Sequence, residues 1–213
     1  MAQLFTIHPE NPQVRLIRQA AECVRAGGVI VYPTDSCYAL GCQIGDKAAM
    51  ERIRAIRQVD EHHNLTLVCR DLAEIAQYAR VDNSQFRMLK ATTPGSYTFI
   101  LQATREVPKR LMHPRRRTIG LRVPDHRIAH ALLAELGEPL LSSTLILPGD
   151  DLPLNDAEEI RERLEQAVDL VIDGGPCGIE PTTVVDLTGD APVITRMGRG
   201  AAAAFGILGP DDA

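Results

Sequence analysis

The sequence contains no tryptophan and only four phenylalanines and four tyrosines among its 213 residues. Proteins that bind single-stranded nucleic acid without sequence preference stack successive bases on aromatic side chains. The shortage of aromatic rings therefore argues against a single-strand-binding protein.

The chain also lacks long apolar runs and paired cysteines. No stretch reaches the roughly 18 apolar residues of a membrane-spanning helix, and the N-terminus lacks the blocks of a signal peptide. We therefore expect a cytoplasmic protein with no membrane partner. None of the five cysteines forms a Cys-x-x-Cys pair, which favours reduced thiols over disulfides or a zinc site. Most are expected in the core; Cys37 is the exception, because it lies in a loop where it could be accessible.

An excess of positive charge is missing as well. The net charge of −5 argues against a protein that coats nucleic acid, which needs many lysines and arginines on its docking surface. The distribution is uneven, however, because residues 105–122 carry Glu106 as their only acidic residue. Arg115, Arg116 and Arg117 in this segment predict a basic rim that would contact RNA. A solvated surface loop is an equally open interpretation.

Apolar segments of strand length alternate with helical patterns, which predicts an α/β fold. Strands are expected at 28–32, 65–69, 97–102, 118–123, 139–144, 169–173, 183–187 and 192–196. The last two, separated by Thr188-Gly189-Asp190, resemble an antiparallel hairpin. We therefore expect a twisted, mixed parallel and antiparallel sheet flanked by helices. No repeat or linker divides the chain, so residues 1–213 are predicted to form one domain with its motifs within about 12–200.

Capping residues predict where the helices begin. Asn11 with Pro12 predicts a helix over 12–26, and a further helix is expected over 83–91. Asp46, Asp71 and Asp125 are each expected to cap a helix, the last one ending near Gly137. The segment 155–158 resembles a capping box at the start of a helix that runs through Ala167.

The most informative stretch is the segment 32–42, Tyr-Pro-Thr-Asp-Ser-Cys-Tyr-Ala-Leu-Gly-Cys, which follows the apolar run 28–31. We expect a buried strand that ends in a loop, where Pro33 fixes the exit angle. Thr34, Asp35 and Ser36 would then expose two hydroxyls and a carboxylate. An ordinary strand-to-helix connection is the competing interpretation of this segment alone.

The segment 33–41 resembles the Pro-Thr-Asp-Thr-x-Tyr-Gly-Leu signature of the YrdC/Sua-type threonylcarbamoyl-AMP synthase family. Four further segments, at 94–101, 120–124, 181–186 and 194–198, resemble the family's other motifs in the same order. The stretches 56–67 and 142–149 are most similar to its YciO-like branch. The resemblance implies a sheet with helices around a large, positively lined pocket.

The resemblance also implies roles for individual residues. Those expected to bind the amino-acid substrate are Thr34, Tyr38, Arg122, Ser142 and Thr183. Those expected to bind nucleotide are Arg57, Thr98, Thr144 and Arg196, with Arg57 and Thr144 also proposed as catalytic. ATP with Mg²⁺ is implied as a substrate, and no metal held by the protein is predicted. On sequence alone, a surface ion pair is the better explanation of Arg122 and Arg196, and the motif context reverses this order.

Two departures from the family pattern bear on activity. The synthases carry Lys-x-Arg where this chain has Arg57-Gln58-Val59, and Ser-x-Asn where it has Thr144-Leu145-Ile146. Two donors expected to face the triphosphate are thereby lost, and one such donor is commonly worth about 2–4 kcal/mol of barrier. His62 and His63 could replace part of the lost charge below about pH 6.5.

Two functions from different classes follow. The first is a threonylcarbamoyl-AMP synthase-like enzyme, acting on ATP and a carbamoylated amino acid in tRNA threonylcarbamoyladenosine modification, with weakened or altered activity. The second is a protein that binds double-stranded RNA or a nucleotide without efficient catalysis, because arginines on a surface suffice for recognition by shape and phosphate contacts. The acyl acceptor, the RNA and the oligomeric state are left open.

Overall fold

Within residues 1–60 and 63–206, which the computed structural model describes, eleven strands form one mixed sheet. Its spatial order is β1-β9-β2-β3-β8-β4-β7-β6-β10-β11, and β5 pairs with β6 beside this path. The strands are β1 Gln3–Thr6, β2 Ile30–Tyr32, β3 Ala39–Gln43, β4 Thr66–Val68, β5 Ala79–Arg80, β6 Tyr97–Ala103, β7 Thr118–Arg122, β8 Leu140–Thr144, β9 Leu170–Asp173, β10 Thr183–Asp186 and β11 Val193–Arg196. The mixed sheet predicted from the sequence is confirmed.

Both kinds of strand pairing occur across the sheet. Strand β9 pairs in parallel with β1 and β2, and β4 with β7 and β6 with β10 do likewise. The neighbours β2–β3, β3–β8, β4–β8, β6–β7 and β10–β11 are antiparallel. The last of these is the predicted hairpin. All eight predicted strands form, whereas β1, β3 and the two-residue β5 were not predicted.

Six α-helices flank the sheet in the described part of the chain: α1 Val14–Arg25, α2 Lys47–Arg57, α3 Leu72–Tyr78, α4 Asn83–Thr92, α5 Arg127–Leu136 and α6 Ala157–Leu164. Asp46 and Asp71 cap α2 and α3 as predicted, because each carboxylate accepts a backbone N–H of the first turn. Short 3-10 helices occupy Lys109–Leu111 and Ala202–Phe205.

Three predicted helix starts are wrong by one or two residues. The N-cap of α1 is Gln13 rather than Asn11, and α5 is preceded by His126 rather than capped by Asp125. Asp156, not Asn155, caps α6, which ends at Leu164 instead of Ala167. In each case the carbonyl of the later residue, Gln13, His126 or Asp156, accepts the first backbone hydrogen bond of the helix, which makes that residue the N-cap.

The helices cover the two sheet faces unequally. One face is covered throughout by an apolar cluster that includes Leu67, Leu121 and Leu141, neighbours across β4, β7 and β8. On the opposite face, α1 and α5 pack through Ile17 and Leu132 over β9, β2 and β3. The strands beyond β3 on that face therefore carry less helical cover.

Strand register identifies which side chains occupy this less covered half. Side chains alternate between faces along a strand, and Ser142 lies opposite both Gly41 and Thr66. Thr66 in turn lies opposite Gly120, which pairs with Ile100. One row across β3, β8, β4, β7 and β6 thus shares a face, and it forms the floor of the candidate site.

Candidate functional site

A cavity of about 280 Å³ lies over this part of the sheet. Its wall includes polar and charged side chains from β6, β7, β8 and β11 and from the end of α2. Of the residues predicted to bind substrate or nucleotide, the cavity brings together Tyr38, Arg57, Thr98, Arg122, Ser142, Thr144 and Arg196. Thr34 and Thr183 do not line it.

Arg57, the last residue of α2, reaches the cavity and is held there by neutral acceptors. Its Nε donates to the carbonyl of Ile146 at 3.2 Å, and its Nη1 donates to Ser143 Oγ at 2.5 Å. No carboxylate among the described residues pairs with it. Burial lowers the pKa of Arg57, and the neighbouring Arg196 lowers it further. The guanidinium therefore retains an uncompensated positive charge.

Arg196, at the end of β11, is also bound by neutral groups. Its Nη2 donates to the carbonyl of Thr182 at 2.8 Å and to Thr182 Oγ1 at 3.2 Å. Its pKa is lowered chiefly by burial, and Arg122 lowers it too, whereas Cys37 opposes the shift. Within residues 1–60 and 63–206, no salt bridge neutralises Arg196.

Arg122 differs from these two because a carboxylate neutralises it. Its Nη2 pairs with Asp35 Oδ1, and both side chains are about nine-tenths buried. Asp35 Oδ2 accepts a second hydrogen bond from Ser96 Oγ at 2.8 Å, and Arg122 Nη1 donates to Ser36 Oγ at 3.2 Å. Arg122 Nε is buried without a partner in the structure. The Nε–H group of this guanidinium is thus unused.

The loop residues 34–36 were predicted to be exposed, and this is wrong. Thr34 and Ser36 are each 3% exposed, and the Asp35 side chain is nearly as buried. Thr34 Oγ1 donates to the Cys37 carbonyl at 2.6 Å and accepts from the backbone N–H of Ser36 and of Cys37. The Thr34 hydroxyl therefore closes its own loop, and direct substrate contact stays a prediction.

Two other predicted hydroxyls are used by the fold in the same way. Thr183 Oγ1 donates to the Gly200 carbonyl at 2.6 Å and accepts from the Gly198 N–H. Ser142 Oγ donates to the Leu40 carbonyl, and the Tyr32 hydroxyl lies 2.8 Å from it. Because Ser142 has a single proton, Tyr32 is the donor in that contact. Either hydroxyl would have to release its present carbonyl acceptor before it could donate a hydrogen bond to a substrate.

Thr98, Thr144 and Tyr38 complete the set of predicted residues in the cavity wall. Thr98 Oγ1 shares a 2.8 Å hydrogen bond with Thr182 Oγ1, the same hydroxyl that accepts from Arg196. Thr144 is half-buried at the end of β8. The Tyr38 hydroxyl donates to the Gly175 carbonyl at 2.8 Å, so its phenol braces the 174–175 turn.

The three arginines predicted as a basic rim occupy different environments. Arg116 lines the cavity and pairs with Asp186, and it also donates to Thr188 Oγ1 at 2.8 Å. Arg115 and Arg117 are exposed, and neither forms a salt bridge among the residues described. Two of the three therefore remain open to an external anion, while the charge of Arg116 is compensated.

Cys37 and His63 both differ from expectation. Cys37 is 2% exposed, and burial raises the pKa of its thiol to about 11, so it is neither accessible nor a thiolate. His63 lines the cavity, but burial, followed by the charge of Arg57, lowers its pKa. Its imidazole is therefore less charged near pH 6.5 than predicted. His62 lies outside the described residues.

Several cavity residues were missed by the sequence analysis. Ser143, Thr182 and His113 line the cavity, and Arg116 does so although it was assigned to the rim. A strand's side-chain alternation could in principle separate Ser142 from Ser143. Which of the two faces carries the cavity is decided only by where α1 and α5 pack.

No three His, Cys, Asp or Glu side chains within residues 1–60 and 63–206 are grouped so that they could hold a metal ion. In the same part of the chain, no helix is long and apolar enough to cross a membrane.

The protein is an α/β protein with a mixed sheet and an arginine-lined cavity. Comparisons with known proteins identify its family. Residues 22–198 match the family model Sua5, YciO and YrdC, described as "Telomere recombination". The chain belongs to this family.

Three relatives indicate its position within the family. The crystal structure of Escherichia coli YciO matches with a TM-score of 0.93 at 60% identity, covering 96% of this chain and 100% of that chain. Threonylcarbamoyl-AMP synthase of Chromobacterium violaceum is 35% identical over 181 residues, 84% of this chain and 92% of the synthase. The structure of P. abyssi Sua5 complexed with L-threonine matches with a TM-score of 0.83 at 26% identity, covering 92% of this chain and 57% of that chain.

Proposed function

We propose that this protein is a threonylcarbamoyl-AMP synthase-like enzyme that binds ATP and a carbamoylated amino acid in the arginine-lined cavity. The observation that carries the proposal is the pair Arg57 and Arg196. Both guanidinium groups are partly buried, burial lowers the pKa of each, the charge of Arg196 lowers the pKa of Arg57 further, and only neutral acceptors hold them. Two such cations favour a polyanion between them, and a triphosphate supplies one.

The remaining cavity residues suit the second substrate. Arg122 carries an Nε–H without a partner beside a neutralised ion pair, which suits a hydrogen-bond acceptor rather than a further full negative charge. Thr98 and Thr144, which the resemblance assigns to the nucleotide, line the same cavity. The family relatives named for this synthesis, and the Sua5 structure complexed with L-threonine, support an amino acid here.

The proposed reaction joins the two substrates at the α-phosphorus of ATP. Bicarbonate first condenses with the threonine amino group to form N-carboxythreonine and water. An oxygen of this carbamate then forms a bond to that phosphorus, and the bond to pyrophosphate breaks. Arg57 and Arg196 would stabilise the charge that grows on the departing pyrophosphate. Mg²⁺ enters as part of the ATP substrate and offsets phosphate charge.

The departures from the synthase pattern predict a slow reaction. Ile146 lines the cavity, so an aliphatic side chain occupies the wall where the synthases place an amide. Val59 lies beyond the end of α2 and is not part of the cavity wall. Ile146 is therefore the substitution with the more direct effect on bound phosphate.

The test is to incubate the protein with ATP, Mg²⁺, bicarbonate and threonine, and to measure pyrophosphate and the acyl adenylate. We expect slow, threonine-dependent formation of both. Ile146→Asn should raise the rate by about tenfold or more, because it restores one donor to the developing charge. Arg57→Ala with Arg196→Ala is the matched background. A wild-type rate no higher than this double variant would contradict the proposal.

A second candidate function is RNA binding by the exposed arginines on either side of Arg116, which lines the cavity. Arg115 and Arg117 favour it, because both are exposed and no carboxylate among the described residues neutralises them. Replacing both by alanine should weaken binding to a short RNA duplex. It should also reduce the slope of log affinity against log salt concentration by about one to two. The matched control is Arg15→Ala, which removes an exposed arginine at the start of α1, outside the cavity wall. Equal affinities of wild type and the Arg115/Arg117 variant would exclude this surface.

A further inference from the structure

Ser143 lies at the junction between the sheet and the candidate phosphate site. It is one residue from the end of β8, opposite Leu40 of β3, and it faces the side of the sheet on which α2 packs. The residue is 8% exposed, and it contributes to the cavity wall. Its hydroxyl accepts a 2.5 Å hydrogen bond from Arg57 Nη1.

A second acceptor from the same chain segment completes the arrangement. The Ile146 carbonyl accepts from Arg57 Nε at 3.2 Å. Two acceptors on two nitrogens fix the plane of the guanidinium, and three of its five N–H groups remain for other partners. These hydrogen bonds link the C-terminal end of α2 to the end of β8 and the segment that follows it.

Both acceptors of Arg57 are uncharged, so they leave its positive charge uncompensated. A carboxylate at position 143 would neutralise Arg57, as Asp35 neutralises Arg122. A hydroxyl and a carbonyl orient the guanidinium without cancelling its charge. A side chain that is already ordered also loses less rotamer entropy when it binds a ligand.

We propose that Ser143 is a positioning residue that holds Arg57 in the orientation required to bind a polyphosphate. The inference rests on the proposed function, since it concerns the same anion site. It assigns to Ser143 an effect on phosphate affinity that is exerted through Arg57.

The experiment measures binding of inorganic tripolyphosphate and of ATP with Mg²⁺ by calorimetry. Ser143→Ala should weaken both about five- to tenfold, the effect of one hydrogen bond. Ser143→Thr keeps the hydroxyl and should restore most of the affinity. In an Arg57→Ala background, Ser143→Ala should change the affinity by less than about twofold, because the group that it positions is absent.

Thr92→Val is the matched control. Thr92 is also 8% exposed, its hydroxyl makes one hydrogen bond to the Met88 carbonyl, and it does not line the cavity. This variant should lower thermal stability and leave tripolyphosphate affinity unchanged. Thermal melts of the ligand-free variants separate lost folding from lost binding.

The outcomes distinguish this inference from the proposed function. If wild type binds tripolyphosphate and Ser143→Ala binds it equally well, the positioning role is wrong and the anion site stands. The role is also wrong if Ser143→Ala weakens binding as much in the Arg57→Ala background as in wild type. If wild type binds neither tripolyphosphate nor ATP, the proposed function and the inference fail together.

Discussion

At the residue scale, the arginines of the cavity divide into two kinds. Arg122 and Arg116 each pair with a carboxylate, so their charges are compensated within the fold. Arg57 and Arg196 contact only hydroxyls and carbonyls, and burial destabilises their charged forms. Residues of one type, in one cavity, therefore have different capacities to bind an anion.

This division predicts unequal effects of removing the charge. Arg196→Gln should weaken ATP binding by about 10- to 100-fold, the effect of losing a charged hydrogen-bonding group. Arg161→Gln, on α6 and outside the cavity wall, is the matched control. Titration calorimetry at two salt concentrations provides the measurement. Loss of affinity of the same size in both variants would show that overall charge, and not the site, attracts the nucleotide.

At the scale of elements, helix caps and side-chain periodicity explain most of the chain's local structure. The clearest case is α4, where Asp82 accepts from the Gln85 N–H and the Gln85 side chain accepts from the Asp82 N–H. Gln85 Nε2 also donates to the Leu187 carbonyl at 2.7 Å. This capping box therefore connects the start of α4 to the strand hairpin that ends in Arg196.

Removing this cap predicts a measurable loss of stability. Asp82→Ala should lower the free energy of unfolding by about 0.5–2 kcal/mol, because the first turn of α4 loses the acceptor for an N–H group. Urea denaturation followed by circular dichroism measures the change. Asn83→Ala, at the next position and outside the capping contacts, should have a smaller effect. Equal destabilisation by both variants would mean that helix propensity matters more than the cap.

At the scale of the whole molecule, two half-buried histidines connect folding to pH. Burial lowers the pKa of His63 in the cavity wall and of His126 before α5. His63 faces Arg54, Arg57, Arg196 and Asp60, and His126 faces Glu10, Asp35, Asp125 and His130. The Nδ1 atom of His126 is buried without a partner in the structure.

The sign of the pH effect follows from these lowered values. Between the folded-state pKa and the ordinary value of 6.5, the unfolded chain binds more protons than the folded chain. Stability should therefore decrease as the pH falls from 6.5 through the folded-state pKa of each histidine. Urea denaturation from pH 5 to 8 measures this, and His63→Gln with His126→Gln should flatten the profile. A wild-type profile that is equally flat would contradict the half-buried, neutral histidines.

Local patterns also determined much of the fold before any packing was known. The eight predicted strands, the final hairpin and the caps Asp46 and Asp71 depend on periodicity and on side-chain hydrogen bonds between near neighbours. Strand β3 was missed because Gly41 and Cys42, within the motif, carry no alternating pattern of large apolar residues. Strand β1 has four residues, too few for periodicity to be distinct.

The sequence by itself determined the family resemblance and the mixed sheet, because ordered motifs and short-range patterns are written along the chain. The shared cavity of Arg57, Arg122 and Arg196 was implied only by the resemblance. Only the tertiary structure decided which of these arginines is paired with a carboxylate and which is held by neutral acceptors alone. Asp35 and Arg122 are 87 residues apart, and Arg57 and Ser143 are 86 apart. Such pairings depend on strand order and on where α1 and α5 leave the sheet uncovered, and neither is encoded in the spacing of neighbouring residues.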